Sequence, residues 1–348
     1  MTNMEDLKIK MADQLETSKM TSTIGRTSAI ALASILAIIG ILGFIWDREP
    51  PLFDAEKVTD KMLAVHKIQK VTGSTTVAVM IQVSEVLLNK RGGLLTNDIM
   101  PPGAWMDNLP NWEFGVLVQL RDMARTMRNN FSRSQSQSTE DTDLVTAENQ
   151  FYYDNNSWFL PETESEYRKG TRALEDYLLR LCNTNKSDAQ FYARADNLRI
   201  WLSEVETRLG SLSQRLSASV GKRQIDISLA GDVAATKSTA TNSDAHVKTP
   251  WTELDNVFYE ARGTTWALIH LLRAIEIDFR DVLEKKNALV SLQHIIRELE
   301  PTQETLWSPI ILNGSGLGLV ANHSLVMGSH ISRANAAIID LRRLLEDG

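Results

Sequence analysis

One run of nineteen residues without a charged side chain, from Ser28 to Trp46, constrains this chain more than any other feature. A helix rises about 1.5 Å per residue, so the run spans about 28 Å, close to the thickness of a bilayer's hydrocarbon core. Charged residues at 47–49 end the run, and Trp46 stands where an indole favours the membrane interface. The run is therefore predicted to be a transmembrane anchor, with the lipid bilayer as its partner.

A cleaved signal peptide is the main alternative for this run. Signal peptides have a shorter apolar core and a small-residue cleavage site after it. Here the segment WDREPP follows instead, which favours an uncleaved anchor. The sequence thus predicts a short N-terminal tail at 1–27, a transmembrane anchor at 28–46 and a soluble domain at 47–348.

The charges that flank the anchor favour one orientation by a small margin. Four basic residues precede the anchor and three follow it closely: Lys8, Lys10, Lys19 and Arg26, then Arg48, Lys57 and Lys61. An excess of basic residues marks the cytoplasmic side of a membrane helix. We therefore expect a single-pass protein with its N-terminus inside and its large domain outside the cytoplasm.

Composition narrows the classes of function open to the soluble region. Its 43% hydrophobic and 23% charged residues are typical of a globular protein rather than a disordered one. The formal net charge of -7 argues against a nucleic-acid partner. The single cysteine, Cys182, excludes an internal disulfide, and we expect its thiol to be buried.

Three stretches carry apolar residues at alternating spacings of four and three, the pattern of a buried helix face. They run from Phe191 to Leu216, from Leu254 to Val282 and from Met327 to Leu345. Capping boxes at 163–166 and 187–190 mark two expected helix starts. Because no alternating strand pattern appears, the sequence predicts a mainly α fold: one N-terminal transmembrane helix followed by a bundle of long helices, with extended loops.

The first two of these stretches are predicted to pack against each other. The segment between them is long, and it is rich in Ala, Thr and Ser at 230–249, so it is expected to be a flexible loop. It allows the second helix to return along the first. We predict an antiparallel pair within one chain, with Leu209 and Leu272 in the core; pairing of one stretch with its copy in a second chain is the alternative.

Shorter elements connect these stretches. Thr75 to Lys90 is interpreted as a helix that stops at the following glycines. Asn111 is the expected N-cap of a helix whose buried face carries Val116, Leu120, Met123 and Met127. The segments 96–111, 132–143 and 151–161 are predicted to be loops.

No catalytic signature appears, so no catalytic, cofactor-binding or metal-ligating residue is predicted. Three weak patterns fit loops or solvated side chains better than sites: the glycines at 314–318, the pair His323 and His330, and the acidic segment 140–143. The glycines lack a following lysine, the histidines are seven residues apart, and the acidic segment lacks the spacing of a calcium loop.

A basic stripe is the strongest candidate for a binding surface. Arg121, Arg125 and Arg128 share a helix face and are suited to an anionic lipid, a glycan or an acidic partner. Pairing with internal carboxylates is the favoured alternative. Together with Trp112, Asp154 and Trp158 on the neighbouring predicted loops, these arginines form the candidate surface.

Several long runs resemble one family of bacterial membrane-anchored proteins, the domain-of-unknown-function 2333 family. The resemblance rests on TNDIMPPGAWMDNLPNWEFGVLVQLRDMARTMRNNFSRSQSQSTEDTDL, FYYDNNSWFLP, AQFYARADNLRIWLSEVETRLGSLSQRLSASV and WDREPPLFD. It covers most of the chain from the anchor onward. The resemblance implies a proteobacterial inner-membrane protein, and it brings no activity, ligand or catalytic residue.

Two functions follow as hypotheses. The first is a cell-envelope scaffold or adaptor with a protein partner, on the periplasmic side of the inner membrane. The second is an enzyme or ligand sensor whose site lies in the aromatic and acidic loops at 108–161. The anchor, the long helices and the missing catalytic set favour the first.

Overall fold

A computed structural model describes residues 4–134, 139–183, 188–224, 245–308, 310–315 and 319–347. These residues are mainly helical, which confirms the predicted fold class. The helices are α1 Met4–Trp46, α2 Ala55–His66, α3 Ser74–Asn89, α4 Asn108–Thr126, α5 Thr142–Phe151, α6 Thr163–Leu181, α7 Ala195–Ser217, α8 Leu254–Asp278, α9 Arg280–Lys285, α10 Leu289–Leu299 and α11 His323–Asp347. Two short antiparallel strands, β1 Lys222–Gln224 and β2 Ala245–Val247, flank residues outside the described ranges.

Helix α1 contains the apolar run. Its segment Gly25–Trp46 has a mean hydropathy of 2.6, and no residue of it is fully buried in the protein. Within the described residues, this is the one helix long and apolar enough to cross a membrane. The division into tail, anchor and soluble domain stays a prediction.

Helices α4 and α8 form the central pair of the bundle and run in the same direction. Gly115 of α4 packs against Thr264 of α8, and further along the pair the rings of Phe131 and Phe279 lie 5.1 Å apart. Helices α7 and α11 form a second pair that is antiparallel. In that pair Gly328 packs against Leu216 at one end, and Arg199 lies 3.6 Å from Glu346 at the other.

The predicted pairing of the first two apolar stretches is wrong as to partner. α7 packs mainly along α11 and α8 mainly along α4, while α7 and α8 meet over a smaller area that includes the ion pair of Arg215 and Glu260. A Cβ atom at Gly263 would lie 1.9 Å from the carbonyl oxygen of Trp112. Glycine therefore lets α8 approach the backbone of α4, which an apolar periodicity does not reveal. Leu209 and Leu272 are both fully buried, as predicted.

The bundle has two distinct ends. We call the end next to Trp46 the near end: the loop after α3 contacts Trp46 at Gly92, and Arg262 near the start of α8 pairs with Glu49. We call the opposite end the far end. There Asp278, at the end of α8, accepts hydrogen bonds from the backbone and hydroxyl of Thr76 in the first turn of α3.

Several predicted boundaries need correction around α4 and α5. α4 begins at Asn108, so Asn111 lies inside its first turn and is not its N-cap. α5 was not predicted, because it falls at the border between two polar or aromatic segments. Its N-cap is Asp141, whose carboxylate accepts hydrogen bonds from the backbone of Asp143 and Leu144 at 3.0 and 3.4 Å.

The predicted capping box at 163–166 does not form. Thr163 is the first residue of α6, and its hydroxyl donates to the carbonyl oxygens of Asp154 and Ser157 in the preceding loop, at 2.8 and 2.9 Å. α7 begins at Ala195, after the box predicted at 187–190, of which residue 187 lies outside the described ranges.

Most other helix predictions are confirmed. The helix at Thr75 to Lys90 matches α3, and the face at 116–127 is buried. Most of the apolar positions that define the three long stretches lie in the hydrophobic core, beginning with Leu198 in the first stretch and ending with Leu345 in the third. Phe191 precedes α7 and belongs to the far end. The second stretch is interrupted after Asp278, so its last position, Val282, lies in α9 rather than in α8. Most of the segment predicted as a flexible loop at 230–249 lies outside the described residues.

Candidate functional site at the junction of helix α1 and the bundle

Trp112 does not belong to an accessible surface. Its side chain is fully buried, and its ring lies 5.2 Å from that of Trp266 on α8. The sequence placed Trp112 close to a loop, but the early start of α4 at Asn108 puts it on the inner face of the helix. It is therefore removed from the candidate binding surface.

Arg121 and Arg125 hold the turn that follows α5. The Arg121 guanidinium donates to the carbonyl oxygens of Phe151 and Tyr153, at 2.6 and 2.9 Å. Arg125 donates to the hydroxyl of Tyr152, and its guanidinium lies 5.0 Å from the centre of that ring. Both side chains thus have partners within the chain.

Arg128 completes the stripe and is also paired internally. It donates to the carboxylates of Glu148 and Glu140, at 2.8 and 2.9 Å. The structure therefore supports the alternative that the sequence left open, in which the stripe is neutralised by carboxylates of the same chain. Binding of an external anion by these arginines stays a prediction, and each of the three guanidinium groups already has a partner within the chain.

Asp154 and Trp158 lie on the loop between α5 and α6. The exposed carboxylate of Asp154 accepts from the backbone of Asn156 at 3.0 Å, which shapes the turn. Trp158 is 55% exposed and borders a shallow depression with Ile99 and Met100. The structure thus joins Trp158 to the loop after α3 rather than to the three arginines.

The weaker patterns have local structural roles. His323 accepts a hydrogen bond from the backbone of Leu312 at 3.1 Å, and His330 lies 2.8 Å from Arg333. Burial raises the pKa of Cys182 to about 11, so its thiol stays protonated. Residues 316–318 of the glycine loop lie outside the described ranges. The described ranges hold no group of three His, Cys, Asp or Glu residues placed to bind a metal ion.

A buried ion pair fixes the loop between α3 and α4. Glu113 and Lys90 are paired with side chains 1% and 2% exposed. The carboxylate of Glu113 also accepts from the backbone N–H groups of Leu95 and Thr96, each at 2.8 Å. A buried ion pair is tolerated only when such hydrogen bonds satisfy its remaining atoms. The start of α4 therefore dictates the conformation of residues 90–97.

This loop packs against the end of α1. Gly92 has φ of 87°, and a Cβ atom there would lie 2.9 Å from the ring of Trp46. A Cβ atom at Gly43 would lie 3.5 Å from that of the buried Pro102. Residues 39, 42, 43 and 46 are half-buried while their neighbours are exposed. That spacing is one helix face, so the bundle covers one side of the last two turns of α1.

A second ion pair, buried at its arginine and partly exposed at its glutamate, holds the segment that leaves α1. Arg262 is 7% exposed and donates through Nε to the two carboxylate oxygens of Glu49, at 2.8 and 2.9 Å. Its Nη1 donates to the carbonyl oxygens of Thr302 and Glu304, both at 3.0 Å. One guanidinium therefore ties together the exit segment, α8 and the turn after α10.

Aromatic packing strengthens the same connection. Phe53 stacks on His270 of α8 with ring centroids 3.6 Å apart and planes within 3°, and Trp266 meets both rings edge-on. Burial lowers the pKa of His270 to about 3, and Arg273 adds to the shift. The imidazole is therefore neutral at physiological pH and serves as a flat packing surface.

A cleft of about 650 Å³ remains between the exit segment and the bundle. It is lined by residues 47–52, Tyr259, Arg262, Trp266, Gln303, Thr305 and Leu306. Burial raises the pKa of Tyr259 to about 12, so the phenol keeps its proton. These groups can bind and orient a molecule by hydrogen bonds, but they include no nucleophile paired with a base.

The residues that build the junction were missed in the sequence. Glu113 and Arg262 each interrupt an otherwise apolar stretch, at NWEFGVL and ARGTTWAL. Charged side chains are almost never fully buried unless they are paired, so a lone charge in an apolar helix indicates a partner elsewhere. That signal identifies the residue but not its partner.

The comparisons with known proteins agree with the resemblance. The model of the family described as "uncharacterized protein conserved in bacteria" (DUF2333) matches residues 18–348, and the chain belongs to this family. The match includes the apolar part of α1 and the whole bundle, so the junction lies within what the family model describes. No curated protein and no solved structure matches the chain.

Proposed function

We propose that this member of the family is a membrane-anchored scaffold or adaptor of the bacterial cell envelope. In this proposal α1 crosses the inner membrane through residues 28–46, and the bundle stands on the periplasmic side. The bundle presents its helical faces to a protein partner at a set height above the bilayer.

The observation that carries the proposal is the fixed junction. A flexible linker would be enough to keep a domain at a membrane, yet here a buried ion pair orders the loop that covers one face of α1, and a second ion pair ties the exit segment to α8. Such a connection sets the distance and the tilt of the bundle. A protein that positions a partner needs both to be defined, whereas a tethered enzyme does not.

Membrane insertion and orientation are tested first. We expect the full chain to remain with membranes after carbonate extraction, and residues 47–348 expressed alone to be soluble. An alkaline phosphatase fused to the C-terminus should be active, while a reporter that requires the cytoplasm should be silent. A native N-terminus cleaved near residue 46, or the reverse reporter pattern, would contradict this part of the proposal.

The scaffold role is tested by crosslinking in native membranes followed by mass spectrometry. We expect one stoichiometric protein partner, and we expect its yield to fall in Arg262→Ala because the junction loosens while α1 stays inserted. Arg333→Ala is the matched control, since it removes an arginine from the exposed pair with Glu298. An equal yield in both variants would show that the fixed junction is irrelevant to partner binding.

A ligand sensor is the second candidate, and the cleft at the junction favours it. The arginines at 121–128 have internal partners, so the cleft replaces the loops at 108–161 as the expected site. A ligand there would contact both the exit segment and α8. Native mass spectrometry should then show a co-purifying small molecule that is lost in Tyr259→Phe, and no stoichiometric protein.

A further inference from the structure

The tryptophans of this chain divide sharply by location. Three of the eight are fully buried in the bundle, and Trp46 is half-buried at the end of α1. The other four are 55 to 92% exposed: Trp105, Trp158, Trp251 and Trp307. Indoles carry a large apolar area, and several exposed together mark a contact surface.

Two loops concentrate exposed apolar side chains at the near end. We call these six residues the near-end patch: Ile99, Met100, Trp105, Trp158, Phe159 and Leu160, with exposures of 55 to 80%. The two loops are joined, because the side-chain amide of Asn97 donates to the carbonyl oxygen of Ser157 at 2.9 Å and to Glu164 at 2.8 Å. The patch is therefore one continuous structure rather than two separate loop tips.

The position of the patch along α1 is fixed by contacts. Pro102, within the first loop, packs against Gly43, three residues before Trp46. The covered face of α1 extends to Ile39, which lies about 10 Å from Trp46 along the helix axis. The loop at 99–105 is thus level with the last two turns of the apolar segment, not beyond its end.

The remaining exposed indoles lie at the same end. Trp307 follows Leu306, which lines the cleft beside the exit segment. Trp251 lies just before the start of α8. Because α8 contacts Glu49 through Arg262 and then runs toward the far end, its start and Trp251 lie at the near end. Outside α1 and the four exposed indoles, the other described residues that are large, apolar, more than half exposed and not in the near-end patch are scattered: Val65, Val290, Ile310, Leu319, Val320 and Val326.

We propose that the near-end patch enters the interfacial layer of the bilayer that α1 crosses, so that the bundle is seated on the membrane as well as anchored in it. This inference rests on the proposed insertion of α1. If Trp46 marks the interface, Ile99, Met100 and Trp105 lie at the depth of headgroups and upper acyl chains. Indoles favour that layer, and burying a large apolar side chain there is favourable.

The test uses the full chain reconstituted in vesicles of phosphatidylethanolamine and phosphatidylglycerol. Spin labels are placed at Met100→Cys and Phe159→Cys, with Val290→Cys as the matched exposed control at the far end. Cys182 is buried and protonated, so the label reacts at the introduced cysteine. Flotation of the vesicles after a carbonate wash reports insertion of α1, and collision with oxygen or with an aqueous nickel complex reports the depth of each label.

We expect the protein to float, and the ratio of oxygen to nickel collisions at 100 and 159 to exceed that at 290 severalfold. If the protein floats but the ratio of oxygen to nickel collisions is equal at all three sites, the patch does not enter the bilayer, while the insertion of α1 still holds. Labels that are wet in lipid vesicles but shielded in native membranes would assign the patch to a protein partner and also overturn the seat. A protein that does not float would overturn the insertion of α1, and with it the seat.

Quenching of the native indoles by brominated lipids is an independent measurement. We expect quenching in the unaltered chain, and a clear loss of it in the double variant Trp105→Phe, Trp158→Phe. Circular dichroism checks that the variant is folded, which the exposure of both side chains favours. Undiminished quenching in a folded double variant would contradict the seat.

Discussion

Both ends of the bundle contain packed aromatic rings, but the near end also exposes several of them. At the far end, the rings of Phe131, Phe191 and Phe279 pack against one another, with centroids 5.1 to 5.7 Å apart. At the near end, rings of similar size face outward, as at Trp105 and Trp158. Aromatic side chains thus close the core at the far end, whereas at the near end they form both packed contacts and an exposed surface.

Two sets of ion pairs also differ between the ends. Near-end pairs such as Glu113 with Lys90 are buried, whereas the far-end pairs of Arg180 with Asp141 and Asp143 are partly exposed. The near-end loops thus combine a buried ion pair with exposed indoles, which suits contact with an apolar layer, whereas the partly exposed pairs of Arg180 suit contact with water. The difference indicates that the end of the bundle next to α1 has a different surface from the opposite end.

The largest expected effect comes from the buried charge at the near end. Glu113→Ala leaves the Lys90 ammonium and the N–H groups of Leu95 and Thr96 without their partner. We expect the free energy of unfolding to fall by about 3–5 kcal/mol. Urea unfolding of the full chain in mild detergent, followed by circular dichroism, measures it.

Glu298→Ala is the matched control for that variant. Glu298 pairs with Arg333 at 2.7 Å on the surface, where the Arg333 side chain is half exposed. Such pairs contribute less than about 1 kcal/mol. Similar losses in the two variants would mean that the near-end ion pair is not buried as described.

The next largest effect separates the two helix pairs. Gly263→Ala places a Cβ atom against the carbonyl oxygen of Trp112, a backbone atom that cannot turn aside, and we expect a loss of about 1–3 kcal/mol. Gly210→Ala in α7 is the control, since its nearest neighbour is the side chain of Asn335 at 3.7 Å. Removing a helical glycine there should stabilise by about 0.5–1 kcal/mol. Urea unfolding measures both changes. If the free energy of unfolding changed in the same direction in the two variants, the close approach of α4 and α8 would be refuted.

A smaller effect is a dependence on pH located at the near end. The pKa of His270 is about 3 in the folded protein and near 6.5 when unfolded. Between these values the unfolded chain binds a proton that the folded chain does not, so stability falls as pH drops below 6.5. The loss is up to about 1.4 kcal/mol per pH unit. His270→Phe, which keeps a ring against Phe53, should lose less stability than the unaltered chain between neutral pH and about pH 5; parallel curves would contradict the burial of a neutral imidazole.

Local patterns predicted the helices but not their partners. The apolar spacing of α7, α8 and α11 is a property of each segment alone, so the sequence contained it in full. The choice of α4 as the partner of α8 depends on Gly115 and Gly263, whose missing side chains leave no periodic signal. α5 was missed because it is short and begins within an acidic segment that resembles a loop.

The candidate site was predicted less well than the fold. The spacing of Arg121, Arg125 and Arg128 placed them on one face correctly, yet it could not show that Phe151 and Glu148 of the same chain engage them. Trp158 is exposed, as predicted for a residue of the candidate surface. Trp112 is buried instead, because α4 begins earlier than expected. The contact between Glu49 in the exit segment and Arg262 on α8 is absent from any local pattern.

The central claim is that α1 and the bundle form one rigid unit, and a distance distribution tests it most directly. Spin labels at Ile38→Cys on α1 and Val326→Cys on α11, both exposed in the protein, report the relative position of the two parts in lipid nanodiscs. A fixed junction predicts a single narrow distribution that broadens in Glu113→Ala and in Arg262→Ala. A broad distance distribution in the chain that retains Glu113 and Arg262 would contradict the claim, because α1 would then be a flexible tether.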